Sequence, residues 1–76
     1  MERLGKGVGM IQIVVNGKDW QVDSGSTIAN LLGRIKLSPI VCVVEINGEI
    51  QDKKTYNTAA LKNGDRVEII RMMAGG

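Results

Sequence analysis

The chain has no histidine, one cysteine, one proline and no phenylalanine, and its only aromatic residues are Trp20 and Tyr56. Each shortage removes a class of chemistry. Without histidine, Ser-His and Cys-His nucleophiles and imidazole-bound metals are excluded. A single cysteine, Cys42, forms neither a zinc cage, nor a redox dithiol, nor an intramolecular disulfide. Two aromatics supply no base-stacking platform. Ten basic and eight acidic side chains are interspersed, and no block of one sign is long enough to serve as a polybasic arm. Nucleic acid is therefore a disfavoured partner. No apolar run approaches the length of a membrane span, and no apolar segment follows Arg3 and Lys6, so neither a membrane anchor nor a signal peptide is expected. Together with the unpaired cysteine, this points to a reducing cytoplasm.

The glycines match neither a phosphate-binding loop nor a dinucleotide fingerprint. Asp and Glu are scattered over turns and outward positions, where a solvated face is the plain reading. An autonomous enzyme is not expected, nor a metal site. Cys42 sits between Val41 and Val43 with no sequence cue for thiol activation, and it is expected to be buried and structural.

What is present is enough for one small domain, because a chain of 76 residues buries only about 60% of the surface it exposes when unfolded. In residues 1–9, Gly5, Gly7 and Gly9 alternate with charged or small apolar residues and give no period for burial. This stretch reads as a flexible extension, whether tag remnant, early start or natural tail. The domain proper is expected over 10–72, with a mobile tail at 73–76.

From Met10 onward the periods are clear. Ile11, Ile13 and Val15 alternate with Gln12 and Val14, the spacing of a strand with one buried face. Asn16-Gly17 readily takes the positive φ angles of a tight turn, and Trp20 and Val22 alternate beyond it, which predicts a hairpin. Ser24 to Thr27 offer helix N-caps, and Ile28, Leu31, Leu32 and Ile35 recur at the spacing of an amphipathic helix. Gly33 within that helix is expected to mark a close approach to the sheet, and Pro39 stops any continuation. Val41 to Ile46 reads as a third strand, turning at Asn47-Gly48 into a short extension through Ile50. Residues 51–65 are mainly polar, with loop, short bridges or a helical turn around Tyr56 to Leu61. Arg66 to Met72 forms the last strand, with Val67 and Ile69 on one face and Glu68, Ile70 and Met72 on the other. The helix must cover one face of the sheet, so the fold class is α+β. Its expected core is Ile11, Ile13, Val15, Ile28, Leu31, Leu32, Ile35, Val67 and Ile69.

The carboxyl end is where chemistry is available. Gly75-Gly76 follows the last strand directly, and two residues without Cβ atoms lie extended in a channel too narrow for other side chains. A terminal carboxylate, ionised at an ordinary pKa of about 3.3 to 3.7, is a poor electrophile. Adenylation by a partner would convert it to an acyl-AMP anhydride, from which a sulfur or amine nucleophile displaces AMP.

Met10-Ile11-Gln12-Ile13-Val14-Val15-Asn16-Gly17, Val44-Glu45-Ile46-Asn47-Gly48-Glu49-Ile50, and Asn63-Gly64-Asp65-Arg66-Val67-Glu68-Ile69-Ile70 continued to Ala74-Gly75-Gly76 resemble the ThiS sulfur carriers of thiamine biosynthesis. The resemblance covers residues 10–76. It implies a ubiquitin-like β-grasp fold, a mixed sheet packed on one main helix, with Gly76 as the reactive residue. It further implies a ubiquitin-activating-type (ThiF-like) adenylyltransferase that uses ATP and magnesium, a cysteine desulfurase relay that yields a terminal thiocarboxylate, and a thiazole synthase (ThiG-like) that takes the sulfur. ATP and magnesium would belong to the partner, with no cofactor bound by this chain. The related molybdopterin-synthase small subunit shares the fold and the Gly-Gly end, but its approach to the tail usually contains proline, whereas here it is Arg71-Met72-Met73-Ala74. Other sulfur carriers, a protein-conjugating modifier and a plain β-grasp interaction domain remain alternatives. If the first and last strands are adjacent, as the resemblance implies, Val14, Ile70 and Met72 form a docking patch that continues through Met73 and Ala74 to Gly75 and Gly76.

Overall fold

The computed structural model describes residues 9–72. Of the expected extension over residues 1–9, only Gly9 is described, its carbonyl accepting from the Ser24 N–H, and residues 1–8 and the tail residues Met73, Ala74, Gly75 and Gly76 lie outside the described residues. Strand β1 (Met10–Val15) turns at Asn16-Gly17 into antiparallel β2 (Lys18–Asp23), with Val15 opposite Lys18 and Met10 opposite Asp23. Asn16 and Gly17 have φ of 49° and 83°, the left-handed pair that matches a two-residue hairpin to the twist of its strands.

Helix α1 (Ile28–Arg34) follows, and Thr27 caps it. The Thr27 hydroxyl accepts from the Asn30 backbone N–H, while the Asn30 side chain accepts from the Thr27 N–H. Two otherwise orphaned donors are thereby satisfied. The helix ends well before Pro39, with Lys36 at φ 61° just beyond it. Pro39 instead opens a short 3-10 turn, Pro39–Val41, capped by Ser38. Gly33 does not approach the sheet: it is exposed, and a Cβ placed there would meet nothing within 4 Å.

β3 (Cys42–Ile46) and the two-residue β4 (Glu49–Ile50) form a second Asn-Gly hairpin, and β5 (Arg66–Arg71) completes the sheet. The strand order is β2-β1-β5-β3-β4, with β1 and β5 parallel and every other pair antiparallel. The last strand in sequence is thus the middle strand in space. Between β4 and β5 the helical turn falls at Lys53–Thr55, slightly earlier than the sequence predicts.

The core lies between α1 and one face of the sheet. Ile13, Val15, Ile28, Leu31, Leu32, Val67 and Ile69 are buried as expected, and Cys42 is fully buried among them. Ile11 and Ile35 are only half-buried and pack at its margin. The core also includes Val22, Val44, Tyr56 and Leu61, absent from the expected set. Tyr56 is buried because β4 ends at Ile50 and leaves the outer edge of β3 without a strand partner. Its hydroxyl accepts from the Val44 N–H at 3.2 Å, and the Gln51 N–H donates to the Val44 carbonyl, so both buried backbone groups are paired.

Candidate functional site at the open face and carboxyl end

β5 is the central strand of the sheet and the last element before residues 73–76 in sequence, so its surroundings bear on the candidate site. Two asparagines hold it from opposite flanks. The Asn16 carboxamide accepts from the Ile69 N–H at 2.7 Å and donates to the Ile69 carbonyl at 3.2 Å, adding a rung to the ladder where β1 has already turned away. On the other flank, Asn47 accepts from the Arg66 N–H at 2.9 Å and donates to the Asp65 carboxylate at 3.0 Å. The left-handed φ at each asparagine makes the turn and also aims the amide across at β5.

The sheet face turned away from α1 is the open one. Alternation along β5 places Arg66, Glu68 and Ile70 there, all exposed, with Met72 exposed just beyond the strand. Ile70 stands opposite Val43, Glu68 opposite Glu45, and Glu45 opposite Ile50 across β4. Val43 and Glu45 are half-buried, and Ile50 is 70% exposed. Nearby hydrogen bonds are made elsewhere, with Asp65 accepting from Asn47 and from the Lys62 N–H. Among the described residues neither Glu45 nor Glu68 has a side-chain hydrogen-bond partner.

β1 and β5 are indeed neighbours, but their register separates the expected patch. Val14 is half-buried on the open face opposite Arg66, at the start of β5. Ile70 lies four residues further along, about 13 Å away at the usual rise of a strand. Ile70 instead stands opposite Val43 of β3, and the Met72 N–H donates to the carbonyl of Val41 in the turn just before that strand. Sequence reasoning missed Val43 and Ile50, because a β-branched run conceals which residues alternate outward and because pairing of β3 with β5 is non-local. Met73, Ala74, Gly75 and Gly76 lie outside the described residues.

Among the described residues no group of three or more metal-ligating side chains occurs, and none of their helices is long and apolar enough to cross a membrane. An open, polar hollow beside the Asn47-Gly48 turn is lined by Gln51, Ala60, Lys62 and Asp65. Asn47 and Asp65 there are already bonded to each other.

A mixed five-stranded sheet wrapped on one helix, with the chain leaving from the central strand, defines a ubiquitin-like β-grasp protein. A ubiquitin from Caldiarchaeum subterraneum shares this fold with a TM-score of 0.55 at 19% identity, over 92% of this chain and all of that one. The family model of the ThiS family matches residues 9–76, and the chain belongs to that family. The crystal structure of a thiamine biosynthesis protein (ThiS) from Geobacter metallireducens is similar, with a TM-score of 0.70 and 32% identity, covering 87% of this chain and all of that one. A thiazole synthase from Paramagnetospirillum magneticum is 32% identical over 66 residues, which are 87% of this chain but 20% of that protein. The chain spans about a fifth of the length of the thiazole synthases that it matches.

Proposed function

We propose that this chain is a sulfur carrier of thiamine biosynthesis, a protein co-substrate and not an enzyme. A ubiquitin-activating-type partner, using ATP and magnesium, joins the Gly76 carboxylate to AMP and releases pyrophosphate. A sulfur nucleophile from a cysteine desulfurase relay then displaces AMP and leaves a thiocarboxylate. Thiazole synthase is the acceptor. The observation that carries this reading is the family match over residues 9–76, a span that includes Gly75 and Gly76, the residues to which the resemblance assigns the chemistry. The likeness of the chain to one segment of thiazole synthases supports that enzyme as the partner, since a carrier and its acceptor gain effective concentration when joined. Tethering keeps sulfide off other electrophiles and delivers it to one site.

In this reading the partner grips the open face at Ile70 and Met72, with Val14 at its far end, and thereby sets the register of Met73, Ala74, Gly75 and Gly76 in a narrow channel. Incubation with an activating enzyme, ATP and a sulfur donor should give the mass change of one oxygen replaced by sulfur. An unchanged mass in the presence of an enzyme active on its own carrier would refute the proposal. Gly75→Val should abolish pyrophosphate exchange with the same enzyme and leave the melting curve unaltered; near-normal exchange would remove the narrow channel.

A further inference from the structure

We propose that the open face of β3, β4 and β5 docks a partner protein which inserts an arginine between Glu45 and Glu68 and covers Val43, Ile50 and Ile70 with apolar side chains. The proposal rests on the carrier reading only for the partner's identity, the adenylating enzyme. Its starting point is the register: Glu45 and Glu68 are direct cross-strand partners on the same face. They form a hydrogen-bonded pair, since the flanking backbone bonds run from Met72 N–H to the Val41 carbonyl and from Asn47 N–H to the Arg66 carbonyl, on the same alternation. Such pairs have Cα atoms about 5.5 Å apart. Like charges at directly opposed positions destabilise a sheet, and neither carboxylate has a side-chain hydrogen bond among the described residues. Arg66, further down the same face, makes none with either of them.

The apolar surroundings select what can cover this pair. Ile50 flanks Glu45 on one side, and Val43 and Ile70 form the next cross-strand row. Any surface that buries these side chains also takes the two carboxylates out of water, which is costly unless a counter-charge arrives with it. A purely apolar partner is thereby rejected. A second copy of this chain is rejected as well, because face-to-face pairing would bring four carboxylates together. Two carboxylates at this spacing match a planar guanidinium, whose fork donates to both, better than the point charge of an ammonium. The carboxylates therefore give selectivity to a face that would otherwise bind by apolar contact alone, and Met72 continues that face toward the reactive end.

The test is calorimetric titration of the adenylating enzyme with the full-length chain at low and high salt. Glu45→Gln/Glu68→Gln, confirmed as folded by its melting curve, should bind about 10-fold more weakly or worse at low salt and lose most of the salt dependence. Ile70→Asp should weaken binding similarly. A double variant that binds within about twofold of the parent, with the same salt dependence, overturns the proposal. Dimerisation of the parent chain that Ile70→Asp abolishes would overturn it in favour of a second copy. Weighing the parent chain after incubation with enzyme, ATP and a sulfur donor separates the two readings. If it gains sulfur while the double variant binds normally, only the docking proposal falls. If it binds through the carboxylates but gains no sulfur, only the carrier reading falls, and no binding at all removes both.

Discussion

On the helix side of β5, Val67 and Ile69 sit in one cluster with Ile28, Leu31 and Leu32, whereas on its other side Glu68 and Ile70 stand exposed opposite Glu45 and Val43. The strand is the same, and alternation alone separates the two sets. One set is chosen for volume and burial. The other combines apolar side chains with two directly opposed carboxylates that have no side-chain hydrogen bond among the described residues. The docking proposal rests on this contrast, since a side-chain choice that stability does not favour is the kind expected at a functional surface.

Leu31→Ala breaks the covered side most severely. Leu31 is almost fully buried at the centre of the helix stripe, and its truncation should destabilise the domain by about 2 to 5 kcal/mol. Ile70→Asp, on the other face of the sheet, should change stability by less than about 0.5 kcal/mol. Urea melts measure both. Equal losses would mean that the open face is part of the core, and a negligible loss for Leu31→Ala would mean that the helix stripe is not.

Asn16 lies between these extremes, because it belongs to neither face and acts along the edge of β5. Asn16→Gly keeps a residue that tolerates φ near 49° but removes both bonds to Ile69, which are part-buried. A loss of about 1 to 3 kcal/mol is expected, the cost of leaving such groups unsatisfied. Amide exchange at Ile69 should accelerate with it. If neither changes, water replaces the carboxamide freely and β5 needs no clamp on that flank.

Much of this was legible in the sequence, and its limits are physical. Asn16-Gly17 and Asn47-Gly48 mark both hairpins because their φ requirements are local. The stripe from Ile28 to Ile35 and the alternation in Arg66 to Met72 mark the helix and the last strand for the same reason. Tyr56 and Leu61 were missed because they lie in a polar stretch and are held by segments distant in sequence: the Tyr56 hydroxyl accepts from the Val44 N–H, and Leu61 follows the Thr27–Ala60 bridge with its N–H on the Ser26 carbonyl. Gly33 was assigned a close approach that the structure lacks, since a glycine's openness says nothing about what stands opposite it. The face proposed for docking was least legible: Glu45 and Glu68 are separated by a long stretch of chain, and only the register of β3 against β5 brings them side by side.

The smallest effect has the opposite sign and sharpens the comparison most. Glu68→Gln keeps the shape of an exposed side chain on the open face but removes one of two directly opposed carboxylates. If the pair is tolerated for a partner's sake, the free domain should become more stable by about 0.2 to 1 kcal/mol, the usual size of a cross-strand term. The gain should shrink at high salt, because exposed charges are screened over roughly 8 to 10 Å at ordinary ionic strength. Truncation on the covered face should never stabilise, so a gain here together with weaker binding to the adenylating enzyme would separate the two faces by sign and not merely by size. A loss of stability in Glu68→Gln at every salt concentration would show that Glu68 supports the fold through the Arg66 side of the same strand, and the like-charged pair would then need no partner to account for it.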